Sequence, residues 1–211
     1  MGADDGIVST ASLMLGVTTA TAGSGQVLAA GIAGLVAGAM SMAAGEYVSV
    51  STQRDAEHAD LGRERLELSS DPEGELAELA AIYTRRGVDP ELATEVARQL
   101  MSHDALAAHA RDELGITEQG RARPVQAAFS SAGAFAAGAL LPVVGALLSP
   151  VPARTLVLAL VALVSLGALG TLGAVAGGAS WRRGAVRVLV GGCLAMVVTA
   201  GIGHLVGAAG L

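Results

Sequence analysis

Residues 40–60 read Met40-Ser-Met-Ala-Ala-Gly-Glu-Tyr-Val-Ser-Val-Ser-Thr-Gln-Arg-Asp-Ala-Glu-His-Ala-Asp60, and the chain changes solvent inside that stretch. Before Glu46 the side chains are small and apolar; after Gln53 about half of them carry charge. No proline interrupts it, so one helix is predicted to run from an apolar phase into water, through Gln53-Arg54-Asp55 to about Leu68. The same contrast divides the whole chain. Residues 54–123 hold 16 of the 19 acids and 9 of the 13 arginines, and only Asp4, Asp5, Glu46, Arg154, Arg182, Arg183 and Arg187 lie elsewhere. A soluble domain cannot cover its surface with so few charges. The 52% hydrophobic content excludes a disordered chain, and the lone Cys193 excludes a disulfide scaffold.

An all-α membrane protein is therefore predicted, with five transmembrane helices and a cytoplasmic helical insert between the second and third. Residues 1–48 hold the first two spans, 49–123 the acidic insert, and 124–211 the last three. The spans read as 7–22, 27–48, 125–148, 156–179 and 185–210, punctuated by Gly23-Ser24-Gly25, by Pro150-Val-Pro152 and by Trp181-Arg182-Arg183. Each of the last three gives about 36 Å of helix, enough for a tilted crossing of a core about 30 Å thick. The first is rich in Ser, Thr and Gly and weakly hydropathic. A signal peptide in its place would carry basic residues where Asp4 and Asp5 stand. With the insert on the cytoplasmic side, twelve arginines fall there and only Arg154 outside. The N-terminus is then cytoplasmic and the C-terminus external, with Trp181 as an interfacial anchor in membrane lipid. Gly34 and Gly38, Gly203 and Gly207, and the Gly167, Gly170, Gly173 ridge permit close helix approach. Pro142 is expected to kink the third span, and His204 in the fifth to pack rather than ligate.

Local signals divide the insert into short helices. Asp71 caps a helix with Pro72 at its first position that stops at Gly87; Asp89-Pro90 repeats the start, and that helix reaches about Met101. Ser102 is read as the cap of a last helix ending at Leu114-Gly115. Leu76, Leu79, Ala80 and Tyr83, then Leu92, Val96 and Leu100, form the apolar faces.

Two carboxylate pairs stand at i, i+3, Glu64 with Glu67 and Glu75 with Glu78, so each pair shares a helix face. Asp112 and Glu113 end the last helix, with His109 a turn before. Such clusters suit hard or borderline divalent ions, Mn²⁺, Fe²⁺, Mg²⁺ or Ca²⁺. Taken alone, glutamate pairs on a helix are more often solvated charge. Asp5 at the start of the first span and Glu46 near the end of the second are ionisable groups at membrane depth, which mark ion or proton paths when they are not simply at headgroup level. Met40 and Met42 offer thioethers nearby.

Asp5-Gly-Ile-Val-Ser-Thr10, Ser41-Met-Ala-Ala-Gly-Glu-Tyr-Val-Ser49, Arg63-Glu-Arg-Leu-Glu67, Asp71-Pro-Glu-Gly-Glu75, Ile82-Tyr83 and Asp112-Glu-Leu-Gly-Ile116 together resemble the vacuolar iron transporter family over nearly the whole chain. The resemblance implies a five-helix homodimer that exports Fe²⁺ and/or Mn²⁺ from the cytosol, by proton antiport, with no cofactor and no nucleic-acid partner. Glu64, Glu67, Glu75 and Glu78 match positions where that family gathers metal; Asp5 and Met42, with Glu46 beside them, match its translocation pathway. Family members usually carry a few more residues before the first Asp-Gly, so a longer native start is one alternative. They often carry methionine and an additional glutamate late in the insert, where this chain reads Ala108-His109-Ala110-Arg111-Asp112-Glu113; His109 is then a candidate borderline ligand that favours transition metals over Ca²⁺.

Two other functions fit less well. A membrane di-iron oxidase would carry Glu-x-x-His motifs, and no glutamate has histidine three residues on; Asp55 and His58 come nearest. A membrane-anchored metal sensor or buffer would need neither Asp5 nor Glu46 in its spans. The absence of lysine suggests a GC-rich prokaryotic genome and hence the plasma (inner) membrane of a prokaryote.

Overall fold

The computed structural model describes residues 2–20, 24–117, 120 and 122–209, and those residues are mostly helical with no strand among them. Seven α-helices follow one another: α1 (Gly2–Ala20), α2 (Ser24–Ser70), α3 (Pro72–Arg85), α4 (Pro90–Asp112), α5 (Pro124–Leu148), α6 (Arg154–Ala176) and α7 (Trp181–Ala208), with a 3-10 turn at Val151–Ala153. The chain divides into two compact units, residues 1–46 with 125–211, and residues 47–124. Thr21, Ala22, Gly23 and Gly210, at the ends of the expected first and fifth spans, lie outside the described residues.

Four helices, α2, α5, α6 and α7, are long and apolar enough to cross a membrane, which makes this an integral membrane protein. The 19-residue α1 is not among them, and the packing of the first unit supplies the reason. Ile7, Ala11, Met14 and Leu15 of α1 are buried against Val27 of α2, Val143 and Ala146 of α5, Leu158, Ala162 and Leu166 of α6, and Met196 of α7. The polar Thr10 and Ser12 of α1 are buried as well. A helix enclosed by protein needs small side chains for close approach more than it needs apolar ones for lipid. Accordingly, a Cβ on Gly6 would overlap the Phe135 carbonyl, and one on Gly203 would overlap the Gly16 carbonyl. Thr19 Oγ1 donates to the Ala200 carbonyl at 3.0 Å across the same α1–α7 seam.

The helices of this unit alternate in direction. Val8 meets Gly192, and Gly16 meets Gly203 further along, so α1 and α7 run parallel; Leu13 meets Gly34 and Met14 meets Gly31, so α2 runs against α1. Asp5, Glu46 and the arginines Arg182, Arg183 and Arg187 therefore belong to one end of the unit. Of the expected small-residue ridges, Gly203 and Gly207 seat Gly16 and Ala20, Gly34 and Gly38 face Leu13 and the Phe135 ring, and Gly170 meets Gly184; nothing stands over Gly173. His204, expected to pack, is exposed on α7, whereas Gly203 and Gly207 face α1. Helix α5 continues through Pro142.

In the second unit the caps fall where the proline pairs predict. Asp71 Oδ1 accepts from Gly74 N at 3.0 Å, Asp89 Oδ1 accepts from Glu91 N at 3.0 Å, and Gly87 adopts φ +96° between the two helices. Leu79, Ala80 and Ile82 of α3 pack on Ala97 and Ala108 of α4, with Leu76, Tyr83, Leu100 and Met101 around them. Two expectations shift. Leu92 is exposed and Ala93 faces inward instead, since alanines let α3 and α4 approach closely. The break in α4 falls at Asp104, not Ser102: Asp104 leaves helical geometry (φ −158°, ψ 95°), and its side chain accepts from Ala107 N at 3.0 Å. Asp104 thus caps the second half of α4, which carries His109 to its end.

Candidate metal centre

Three segments converge in the second unit. Helix α2 brings Glu64, the first turn of α3 brings Glu75, and the last turns of α4 bring His109 and Glu113. One ligand atom from each of these four lies within 4.8 Å of every other, a span that two metal–ligand bonds of about 2.0–2.4 Å can bridge. His109 Nδ1 is the hub: 2.9 Å from Glu113 Oε2, 3.0 Å from Glu64 Oε1 and 3.6 Å from Glu75 Oε2. His109 is 0% exposed and Glu64 2%, whereas Glu75 is half-buried and Glu113 faces solvent.

Three carboxylates crowd one imidazole at this largely buried point. His109 Nδ1 pairs with Glu113 Oε2 at 2.9 Å, while Glu64 Oε1 and His109 Nε2 are buried with no hydrogen bond. Burial first, then the neighbouring Glu113, Glu75 and Glu67 charges, push the Glu64 carboxyl up to about 7 against the opposing pull of His109. Burial likewise raises Glu75, again against His109. A buried carboxylate oxygen without a donor is costly, and a divalent cation among these groups removes that cost.

Glu67 and Glu78 do not reach the four-atom cluster. They stand at the exposed mouth of a cavity of about 400 Å³ that Glu64, Glu75 and Glu113 also line, together with Asp60 and Asp71. The mouth is acidic, so it draws cations inward. Asp112 turns elsewhere. Its carboxylate accepts from Tyr83 Oη at 2.6 Å and from Arg111 Nη2 at 3.0 Å, with Arg86 at 3.4 Å. Burial pushes that carboxyl up, but the Arg111 and Tyr83 hydrogen bonds outweigh it and hold it below the usual carboxylate range. Asp112 ties the end of α4 to α3 and leaves its neighbour Glu113 to face His109.

In the first unit, Asp5 lies exposed in the first turn of α1, and its carbonyl accepts from Ser9 Oγ at 2.6 Å. Met42 lines a separate cavity of about 260 Å³ with Ser9, Thr10, Leu13, Ser41 and Phe135; Gly34 and Gly38 form part of its wall. Glu46 is half-buried one turn beyond Met42 on α2. Ser9, Thr10 and Ser41 give this cavity hydroxyl groups, and Ser9 and Thr10 belong to the Ser/Thr content that weakens the hydropathy of α1.

The sequence model of the VIT family matches residues 1–204. A vacuolar iron transporter of Acanthamoeba castellanii is 49% identical over 97% of this chain and 76% of its own length. Vacuolar iron transporter homolog 1 of Oryza sativa subsp. japonica is 36% identical over 100% of this chain and 73% of its own. Vacuolar iron transporter homolog 2.1 of Arabidopsis thaliana is 35% identical, over 100% and 81%.

Proposed function

Since the chain belongs to the VIT family, we propose that it carries iron across a membrane, exporting Fe²⁺ and/or Mn²⁺ from the cytosol in exchange for protons. The family is one of transporters, not enzymes, and the metal is cargo rather than a cofactor. The observation that carries the reading is the convergence of Glu64, Glu75, His109 and Glu113, three helix segments supplying one nitrogen and three carboxylates to a largely buried point. Residues 49–123 form the cytoplasmic gathering domain, with Glu67 and Glu78 at its mouth and Asp112 bracing it. Helix α1 is the fifth span; its burial among the other four supports this, because lipid exposure is what high hydropathy serves. The three arginines at the start of α7 share an end of the bundle with Asp5 and Glu46, and arginine marks the cytoplasmic side.

The translocation pathway runs past Asp5 and Glu46 to Met42. Carboxylates first attract a divalent cation by charge, then a thioether inside the cavity offers Fe²⁺ a softer contact. The apolar residues left exposed on α2, among them Ile32, Val36 and Met40, suit a second copy of the chain beside that cavity, hence a homodimer; the lysine-free composition supports the plasma membrane of a prokaryote as its location. The test is metal flux. Purified protein in liposomes, with an acidic interior imposed, should take up Fe²⁺ and Mn²⁺ faster than protein-free liposomes and release protons as it does. Metal that binds the protein but never crosses would replace this reading with the sensor or buffer.

A further inference from the structure

We infer that His109 is the residue by which the metal centre prefers first-row transition ions to Mg²⁺ and Ca²⁺. The inference rests on the proposed metal centre and adds what its one nitrogen does there. Of the candidate ligand atoms that meet within 4.8 Å, three are carboxylate oxygens on Glu64, Glu75 and Glu113, and those three alone would rank divalent ions by charge and size. Imidazole nitrogen changes the ranking: it binds Mn²⁺, Fe²⁺ and later ions with increasing strength and gives little to Mg²⁺ or Ca²⁺.

Placement makes the nitrogen unavoidable. His109 Nδ1 lies 2.9–3.6 Å from an oxygen of each of the three glutamates, so an ion held by them has Nδ1 at its side. The ring is 0% exposed and lies between buried Ala108 and Ala110, which leaves it no solvent to turn towards. The second ring nitrogen, Nε2, has no hydrogen-bond partner, so it offers no competing reason for the ring's orientation. Glu64 Oε1, buried with no hydrogen bond, faces Nδ1 at 3.0 Å and completes the ligand set. Ca²⁺ wants six to eight oxygens and Mg²⁺ prefers oxygen ligands and its own water, so a set of four that includes a nitrogen suits neither.

The experiment uses the full chain in detergent micelles and Mn²⁺ as probe. Pulsed EPR of the bound Mn²⁺ should show ¹⁴N coupling from a directly bound imidazole. Mn²⁺ should also stay bound against excess Ca²⁺ or Mg²⁺, and His109→Gln and His109→Met should each lower that preference by about tenfold or more. Glu64→Gln should weaken all three ions while leaving the ¹⁴N coupling in whatever Mn²⁺ remains bound. Absence of ¹⁴N coupling in the wild-type protein overturns the inference without any variant, so misfolding of the substituted chains cannot protect it. An unchanged ion preference in folded His109→Gln overturns it too. If Mn²⁺ binding is indifferent to both Glu64→Gln and Glu75→Gln, the metal centre itself is misplaced and the role of His109 falls with it.

Discussion

A carboxyl pushed up to about 7 makes Glu64 a residue through which pH acts on residues 47–124. In the folded, metal-free protein it keeps its proton between the ordinary value of 4.5 and about 7, where the unfolded chain has lost it. The folded state binds the extra proton over that window, so stability falls as the pH rises through it and is lowest above about 7. The metal-free wild type should therefore melt at a lower temperature at pH 8 than at pH 6. Glu64→Gln should remove most of that difference and stabilise the metal-free protein at pH 8 by on the order of 1 kcal/mol. Metal works in the opposite sense: below about 7 it must displace the Glu64 proton, so Mn²⁺ affinity should drop about tenfold per pH unit as the medium is acidified. Calorimetry across pH 5.5–8 measures the second effect and thermal melting the first. Spacing in the sequence identifies Glu64 with Glu67, and Glu75 with Glu78, as partners on a face. Which member of each pair turns towards His109 depends on how α2, α3 and the second half of α4 meet, and spacing along one helix does not contain that. Adjacent Asp112 and Glu113 look alike in the sequence for the same reason; Tyr83, 29 positions earlier, takes one of them away.

Among the elements, those closed by local chemistry are the most legible. Asp-Pro at the starts of α3 and α4 and Gly87 between them act within a few residues of themselves, so reading a short window suffices. The break inside α4 was harder, because Ser102 and Asp104 are both competent caps and the choice follows from which phase lets Ala108 reach α3. Helix α1 is the opposite case. Hydropathy judges a helix by an assumed lipid neighbour, and α1 has helices on most sides, so its Gly, Ser and Thr content records packing rather than polarity. That account makes a sharp prediction at the α1–α7 seam. Gly203→Leu drives a side chain into the Gly16 carbonyl and should cost about 2 kcal/mol or more through overpacking. Gly191→Leu on the same helix, with nothing within 4 Å of its Cβ, should be neutral or slightly stabilising through better helix propensity. Thermal melting of the two variants in detergent compares them directly; equal losses would mean that α1 is not held by close backbone contact.

At the scale of the whole chain, the two proposed tasks, gathering an ion and moving it, fall in different compact units. Glu64, Glu75, His109 and Glu113 lie within residues 47–124, while Asp5, Met42 and Glu46 lie in the other. If the first set only raises the local supply of metal, its loss should be overcome by concentration. Glu64→Gln with Glu75→Gln should therefore raise the metal concentration needed for half-maximal flux by about tenfold or more while leaving the maximal rate within a factor of about two. Substitution in the pathway cannot be overcome in that way. Asp5→Asn removes the charge proposed to meet the ion at the end of α1, and flux of every divalent ion should vanish at any concentration, with Mn²⁺ binding by residues 47–124 unchanged. Met42→Leu preserves volume and apolarity, so the fold should survive, yet the cavity beside Ser9 and Thr10 loses its sulfur. Fe²⁺ flux should then fall more than Mn²⁺ flux, since the softer ion gains more from a thioether. Liposome assays over a range of metal concentrations separate the two behaviours: a lowered maximal rate in the double glutamine variant would make the centre a step of the path itself, and normal flux in Asp5→Asn would move the path away from α1.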